Sequence, residues 1–145
     1  MINNAQLGFD ALNAALKAAG EETRLRVLAL LAEAELTVSD LTDILRQSQP
    51  RISRHLKLLA EAGLIERFRE GTWAFFRLSD HGGGAEVAHA LLARLNPADE
   101  IERGVGAFRQ RNRHFAFAET VRVVWHGRSV TRRRVPDNTP SHWAT

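Results

Sequence analysis

LTVSDLTDILRQSQPRISRHLKLLAEAGLIERFREGTWAFFRL, residues 36–78, decides how this chain is read. Thr37-Val38-Ser39-Asp40 has the composition of a helix start, because Thr37 or Ser39 can cap it while Asp40 complements the positive helix end. Leu41, Ile44 and Leu45 then face inward for about two turns. In the connection RQSQP, Ser48 or Gln49 can accept exposed amide hydrogens. Pro50 falls in the first turn of a new helix, where its missing N–H costs little. That helix, 49–62, sets Ile52, Leu56 and Leu59 on one side and Pro50, Arg54 and Lys57 on the other, with Arg51 and Ser53 on the flanks. Gly63 stops it. Residues 64–69 and 72–78 are rich in bulky apolar and aromatic residues suited to strands, with Glu70-Gly71 as the turn. Arg67 and Arg69, two apart, share one strand face near the tip. Helix, turn, helix and basic hairpin is the order a winged helix-turn-helix requires. In that fold one exposed helix enters the major groove and the hairpin reaches the flanking backbone.

Upstream, Phe9, Leu12, Leu16 and Ala19 recur at helical spacing and Gly20 follows, which predicts a helix over 5–19. It is so rich in Ala and Leu that it is expected to bury more than one face, against a partner chain as well as its own core. A second helix, 22–34, places Leu25, Leu28 and Ala32 on one side, with Val27, Leu30 and Leu31 widening the stripe. Downstream, Gly82-Gly83-Gly84 releases the chain into a last helix over 85–95, whose apolar side is Val87, Leu91, Leu92 and Leu95. The fold class is therefore mainly α with a small β-hairpin, in the order α-α-α-α-β-β-α. Phe9, Leu12 and Leu16 are the expected partner-facing residues of the first helix.

Composition sets the bounds. At 145 residues the chain is long enough for one domain with a real core and too short for a catalytic domain beside it. It has no cysteine, so disulfides and thiolate metal sites are absent. No apolar run approaches the roughly 18 residues that span a bilayer, and MINNAQLGFD lacks the pattern of a secretory signal; a cytoplasmic protein without membrane partners is expected. The net charge of +3 is unevenly spread: Lys and Arg number 11 against 12 acidic residues in 1–95, and 9 against 5 in 96–145. Positive surface in the first region must therefore come from local placement of Arg51, Arg54, Lys57, Arg67 and Arg69. Leucine divides the chain at the same place, with 18 in residues 1–95 and none afterwards. Two regions are expected: a DNA-binding and dimerisation domain over 1–95, and an Arg-rich, Leu-free, partly disordered tail over 96–145.

Four stretches carry a family resemblance: GEETRLRVLALL at 20–31, ELTVSDL at 35–41, QSQPRISRHLKLLAEAGLI at 47–65 and REGTWAFFRLS at 69–79. Together they resemble the ArsR/SmtB, or arsenic-repressor, family of bacterial transcriptional regulators. The resemblance implies a homodimeric repressor in which the first and last helices pair between subunits and each recognition helix takes one half of an imperfect palindrome. The family's arsenic and cadmium sensors look like Glu-Leu-Cys-Val-Cys-Asp-Leu where this chain has Thr37 and Ser39, and hydroxyls do not replace thiolates for soft metals. The family's zinc site needs Asp, then His two residues on, with His and Glu a helix length later. Here His81 and Gly82 follow Asp80, and the later positions fall on Ala93 and Asn96. No metal and no cofactor is expected, although His81, Glu86 and His89 leave open a different site on the last helix.

A solvated polar face would explain Arg51, Arg54 and Lys57 taken alone; the preceding short helix, capped turn and basic hairpin favour double-stranded DNA. His55 can contact the DNA backbone or pack inward. Phe68, Trp73, Phe75 and Phe76 could stack bases, but strand alternation lets only part of the set face outward, so core packing is expected. The DNA-contacting set is Ser48, Gln49, Arg51, Ser53, Arg54, His55, Lys57, Arg67, Arg69 and Thr72. No residue pattern supports catalysis. The expected function is a homodimeric repressor released by an unidentified inducer. The rivals are a winged helix that binds protein or RNA, and a DNA-binding metal sensor using His81 and His89.

Residues 98–145 show no sustained period, which suits an extra helix near 99–118 followed by frayed basic chain. LLARLNPAD resembles the junction in regulators of this family that continue into a methyltransferase domain. The abrupt loss of leucine with a rise in Arg, Trp, His and Pro would also suit a change of reading frame.

Overall fold

The computed structural model describes residues 6–96, 120–125 and 128–133. Five helices and a hairpin follow the expected order: α1 (Phe9–Ala19), α2 (Glu22–Glu33), α3 (Val38–Leu45), α4 (Gln49–Glu61), β1 (Ile65–Glu70), β2 (Trp73–Leu78) and α5 (Gly82–Leu92). This is the winged helix-turn-helix fold. A second antiparallel pair, β3 (Thr120–Trp125) and β4 (Arg128–Arg133), runs in register from Thr120↔Arg133 to Trp125↔Arg128. No strand was expected in that region, and the helix expected near 99–118 lies outside the described residues. No helix among the described residues is long and apolar enough to cross a membrane.

Small side chains let α1 approach the core: Ala15, Ala18 and Ala19 are buried, while Phe9, Leu12 and Leu16 point away from it. α2 is the centre of the molecule, with Val27, Leu28, Ala29, Leu30 and Leu31 all buried; Ala32, expected on its inner side, is exposed. Leu36, Leu41, Ile52, Leu56, Leu59 and Leu64 complete the fully buried set from α3, α4 and their flanks. Burying one such side chain contributes roughly 1.5–3 kcal/mol before entropy is counted.

The ends of the reading motif are fixed by local hydrogen bonds. Thr37, rather than Ser39, caps α3: its Oγ1 accepts from the Asp40 N–H at 3.1 Å, and Asp40 accepts from the Thr37 N–H at 3.0 Å, a reciprocal capping box. Ser48 precedes α4 but makes no side-chain cap; its carbonyl accepts from the Ile52 N–H at 3.0 Å. α4 ends in a Schellman arrangement, with Gly63 N–H to the Ala60 carbonyl at 3.0 Å and Leu64 N–H to the Leu59 carbonyl at 3.1 Å. Gly63 takes φ +75°, a value that favours glycine.

Glu70 pairs with Trp73, so the hairpin loop is Gly71-Thr72 and Glu70 belongs to the strand. Gly71, at φ +60°, supplies the positive dihedral such a tight hairpin needs. On its other edge β2 is held by Leu36, whose N–H and C=O both bond to Phe76, at 3.1 and 2.8 Å. β2 is therefore covered on both edges, and Phe75 and Phe76 are buried although they are neighbours. The glycine run expected to precede α5 instead forms its first turn, with Gly83 and Gly84 buried. The fully buried side chains of α5 are Ala85 and Ala88; Val87, Leu91 and Leu92 are only partly covered, and Leu95 lies past the helix end, half-buried.

Candidate nucleic-acid interface

α4 divides cleanly by exposure. Ile52, Leu56 and Leu59 are fully buried, whereas Gln49, Pro50, Arg51, Ser53, Arg54 and Lys57 are exposed, as is Ser48 ahead of the helix. Burial on one side fixes which donors face solvent. Arg51 and Arg54 have no carboxylate partner among the described residues, so their guanidinium donors are unspent. Lys57 differs, since its ammonium lies 3.8 Å from Glu61 one turn on. Leu58, which sequence periodicity did not single out, is 38% exposed on the same helix.

The turn into α4 is anchored to the core rather than left to the helix itself. Gln47 donates from Nε2 to Thr23 Oγ1 of α2 at 3.0 Å, and Arg46 ends α3 in the left-handed region at φ 56°. A non-glycine residue held there costs about 1 kcal/mol, which the surrounding bonds offset.

On the wing, Arg67, Arg69 and Thr72 are all exposed, and neither arginine has a carboxylate partner among the described residues. Arg77 is committed to the wing's own structure. Its Nε donates to Glu66 across the strands at 3.2 Å, its other nitrogens lie 3.9 Å from Glu35 and Asp80, and its guanidinium covers Phe68 at 4.8 Å. Phe68 in turn stacks on Phe75 at 5.6 Å. Phe68, Trp73 and Phe75 thus share the hairpin face that carries the Glu66–Arg77 ion pair, with Trp73 partly buried, whereas Phe76 lies on the other face and packs into the core with Ile65 and Leu78.

His55 separates from the other nine residues of the expected DNA-contacting set. It is 9% exposed and turned toward α2, because its helical position follows the buried side rather than the arginine side. Its Nδ1 lies 3.4 Å from Arg24 Nη1 and 3.7 Å from Glu21 Oε2. An arginine can only donate, so Nδ1 accepts and the neutral ring carries its proton on Nε2. Burial pushes the imidazole below its ordinary pKa of 6.5; Glu21 opposes this, and Arg24, Arg51 and Arg54 reinforce it. Burial raises the Glu21 carboxyl, but hydrogen bonds from the Arg24 and Thr23 amides and the charges of His55 and Arg24 outweigh it, so its pKa lies below the ordinary value. The sequence marked neither Glu21 nor Arg24. The available signal was a charged pair at the start of an otherwise core-forming helix.

Among the described residues, the group of three potential metal ligands is Glu66, Asp80 and His81; Glu86 and His89 do not join it. The His81 imidazole hydrogen-bonds Asp80 and holds its carboxyl below the usual range against the opposing effect of burial. Both carboxylates already face Arg77, which makes this a wing-base ion-pair cluster.

Fold and exposed basic face define a winged helix-turn-helix regulator. Residues 21–67 match the model of the bacterial regulatory protein arsR family. The chain is 52% identical over 66 residues to the arsenical resistance operon repressor of Escherichia coli, covering 45% of this chain and 56% of that protein. It is 45% identical over 65 residues to an HTH-type transcriptional regulator of Methanocaldococcus jannaschii, covering 44% of this chain and 73% of the other. Among solved structures it resembles the homodimeric winged helix-turn-helix DNA-binding domain of a possible ArsR-family regulator from Mycobacterium bovis. The identity is 30% and the TM-score 0.50, over 58% of this chain and 73% of that one. The chain belongs to the ArsR family. It spans little more than half the length of the Escherichia coli repressor, and these relatives are transcriptional regulators rather than enzymes.

Proposed function

We propose that this protein is a homodimeric transcriptional repressor that reads an imperfect palindromic operator in double-stranded DNA and is released by a signal still to be identified. The observation that carries the reading is the guanidinium pair Arg51 and Arg54, without a carboxylate partner among the described residues and exposed on a helix whose opposite side is fully buried. Guanidinium forks match the acceptor edge of guanine in the major groove, and Arg67 and Arg69 on the wing suit phosphate oxygens. Ser48, Gln49, Ser53, Lys57 and Thr72 complete the proposed contact surface.

Dimerisation is supported by α1 and α5. Phe9, Leu12 and Leu16 are 84%, 39% and 47% exposed, and Val87, Leu91, Leu92 and Leu95 are only partly covered, which leaves an apolar face that a second copy would bury. A two-fold pair would set its reading helices one DNA turn apart, about 34 Å. The proposed division of the chain assigns residues 1–95 to this DNA-binding and dimerisation unit.

Selection of duplexes from a random library tests the proposal. An enriched two-fold motif with half-sites about 10 base pairs apart is expected. Failure to enrich any duplex, together with retained binding to single-stranded RNA, would support a protein- or RNA-binding role instead.

A further inference from the structure

Arg24 joins three helices at one point. Its Nε donates to the Ala18 carbonyl and its Nη2 to the Lys17 carbonyl at 3.4 Å, which satisfies the end of α1; its Nη1 reaches His55 of α4 at 3.4 Å. The guanidinium itself sits on α2, where Glu21 lies 3.9 Å away. Arg24 therefore ties the helix bearing Phe9, Leu12 and Leu16 to the helix bearing Arg51 and Arg54. His55 is the only link in this chain of contacts whose side-chain type has an ordinary pKa close to neutrality, and burial lowers it from there.

We propose that Arg24 is a positioning residue for DNA reading, acting through His55, and that protonation of His55 releases the reading helix from α1. The inference rests on the DNA-reading role proposed above. In the neutral ring Nδ1 accepts from Arg24. A proton taken from solvent adds to Nδ1, making it a donor; it can no longer accept from a guanidinium 3.4 Å away, but Glu21 Oε2 lies 3.7 Å off as an acceptor. One nitrogen thus has two alternative partners, chosen by its protonation state. The charged groups acting on the ring are Glu21 and Arg24 from α2, and Arg51 and Arg54 from its own helix; α1 contributes backbone carbonyls through Arg24. The exchange cuts the bond from Arg24 to α4 while its bonds to α1 remain.

The direction of the effect separates this device from general electrostatics. Acidification charges histidines, and added positive charge strengthens DNA binding. Release of α4 weakens it.

The test uses the full chain, the duplex it selects at pH 7.5, and constant ionic strength. Wild-type affinity should fall by about tenfold between pH 7.5 and 5.5, equivalent to one pKa unit of linkage. His55→Asn, whose Oδ1 can take the place of Nδ1 as acceptor but cannot titrate, should weaken binding about threefold at pH 7.5 and show a flat profile. Arg24→Gln should bind about tenfold more weakly at pH 7.5, also with a flat profile, while remaining folded and dimeric by circular dichroism and sedimentation. Affinity that rises or stays constant on acidification of the wild type, or a pH profile in His55→Asn like that of the wild type, overturns the inference alone. Failure to select any duplex overturns the DNA-reading role and the inference with it.

Discussion

Gly84, in the first turn of α5, lies so close to Gly63, at the end of α4, that a Cβ on Gly84 would stand 2.2 Å from the Gly63 carbonyl oxygen. The obstacle is backbone, and that backbone is already held: the same carbonyl accepts from Ser79 Oγ at 2.8 Å. Gly84→Ala is therefore expected to destabilise the fold by about 1–3 kcal/mol through overpacking. Thermal unfolding of the variant measures this; a Tm equal to wild type would mean the two helices separate freely.

The same contact explains what the sequence did and did not disclose. α2, α3, α4 and the hairpin were legible to within a residue or two, because proline, glycine and apolar spacing punctuate them locally. The start of α5 was not. Three glycines read as a breaker in isolation, yet Gly83 and Gly84 are helical, and at Gly84 only glycine lets α5 rest on the end of α4. Ala32 facing solvent, and Ala85 and Ala88 facing the core, likewise follow from packing rather than from hydropathy. The β3–β4 pair is hidden in the sequence by its arginines, which read as a charged run. Val121, Val123 and Val130, with two residues between the strands, were the available sign. The exposed arginines of α4 were readable from periodicity, which also left inward packing open for His55; its partners Glu21 and Arg24, the latter 31 residues away, were not readable.

Thr37 and Asp40 each satisfy the other's backbone amide at the start of α3. Thr37→Ala should cost about 1 kcal/mol of stability, within the usual range for an N-cap. Asp40→Ala should cost a similar amount, and the double variant less than the sum, because both remove one reciprocal unit. Urea unfolding of the three variants checks this, with strict additivity as the contrary result.

Stability should depend on pH through His55 and Glu21. The His55 pKa is lowered in the folded state, so the unfolded chain binds more protons there; the stability is complete above the ordinary value of 6.5 and declines as pH falls through the window beneath it. The Glu21 pKa is also lowered, and its contribution is complete above 4.5 and declines as pH falls through its folded value. Urea midpoints between pH 7.5 and 5 should fall for the wild type and change less for His55→Asn. Equal slopes would show that the buried imidazole is not linked to folding.

Leu16 is exposed on α1, as are its apolar neighbours Phe9 and Leu12. If the chain dimerises through α1 and α5 as proposed, Leu16→Glu is expected to shift it toward monomer, raising the dissociation constant by about a hundredfold, since a desolvated charge at an interface costs several kcal/mol. Sedimentation equilibrium gives the answer; an unchanged dimer would place the interface elsewhere.

The most direct measurement of the central claim is the ratio of affinities for the selected duplex and a scrambled one, compared across the wild type, Arg54→Ala and Arg69→Ala. Arg54→Ala should reduce that ratio by about tenfold, in line with roughly 1–3 kcal/mol for a two-pronged base contact, with random-sequence binding little changed. Arg69→Ala should weaken both duplexes equally and lower the salt dependence by about one counterion. Parallel loss on both duplexes in Arg54→Ala, or an unaltered ratio, would contradict the assignment of α4 as the element that reads base sequence.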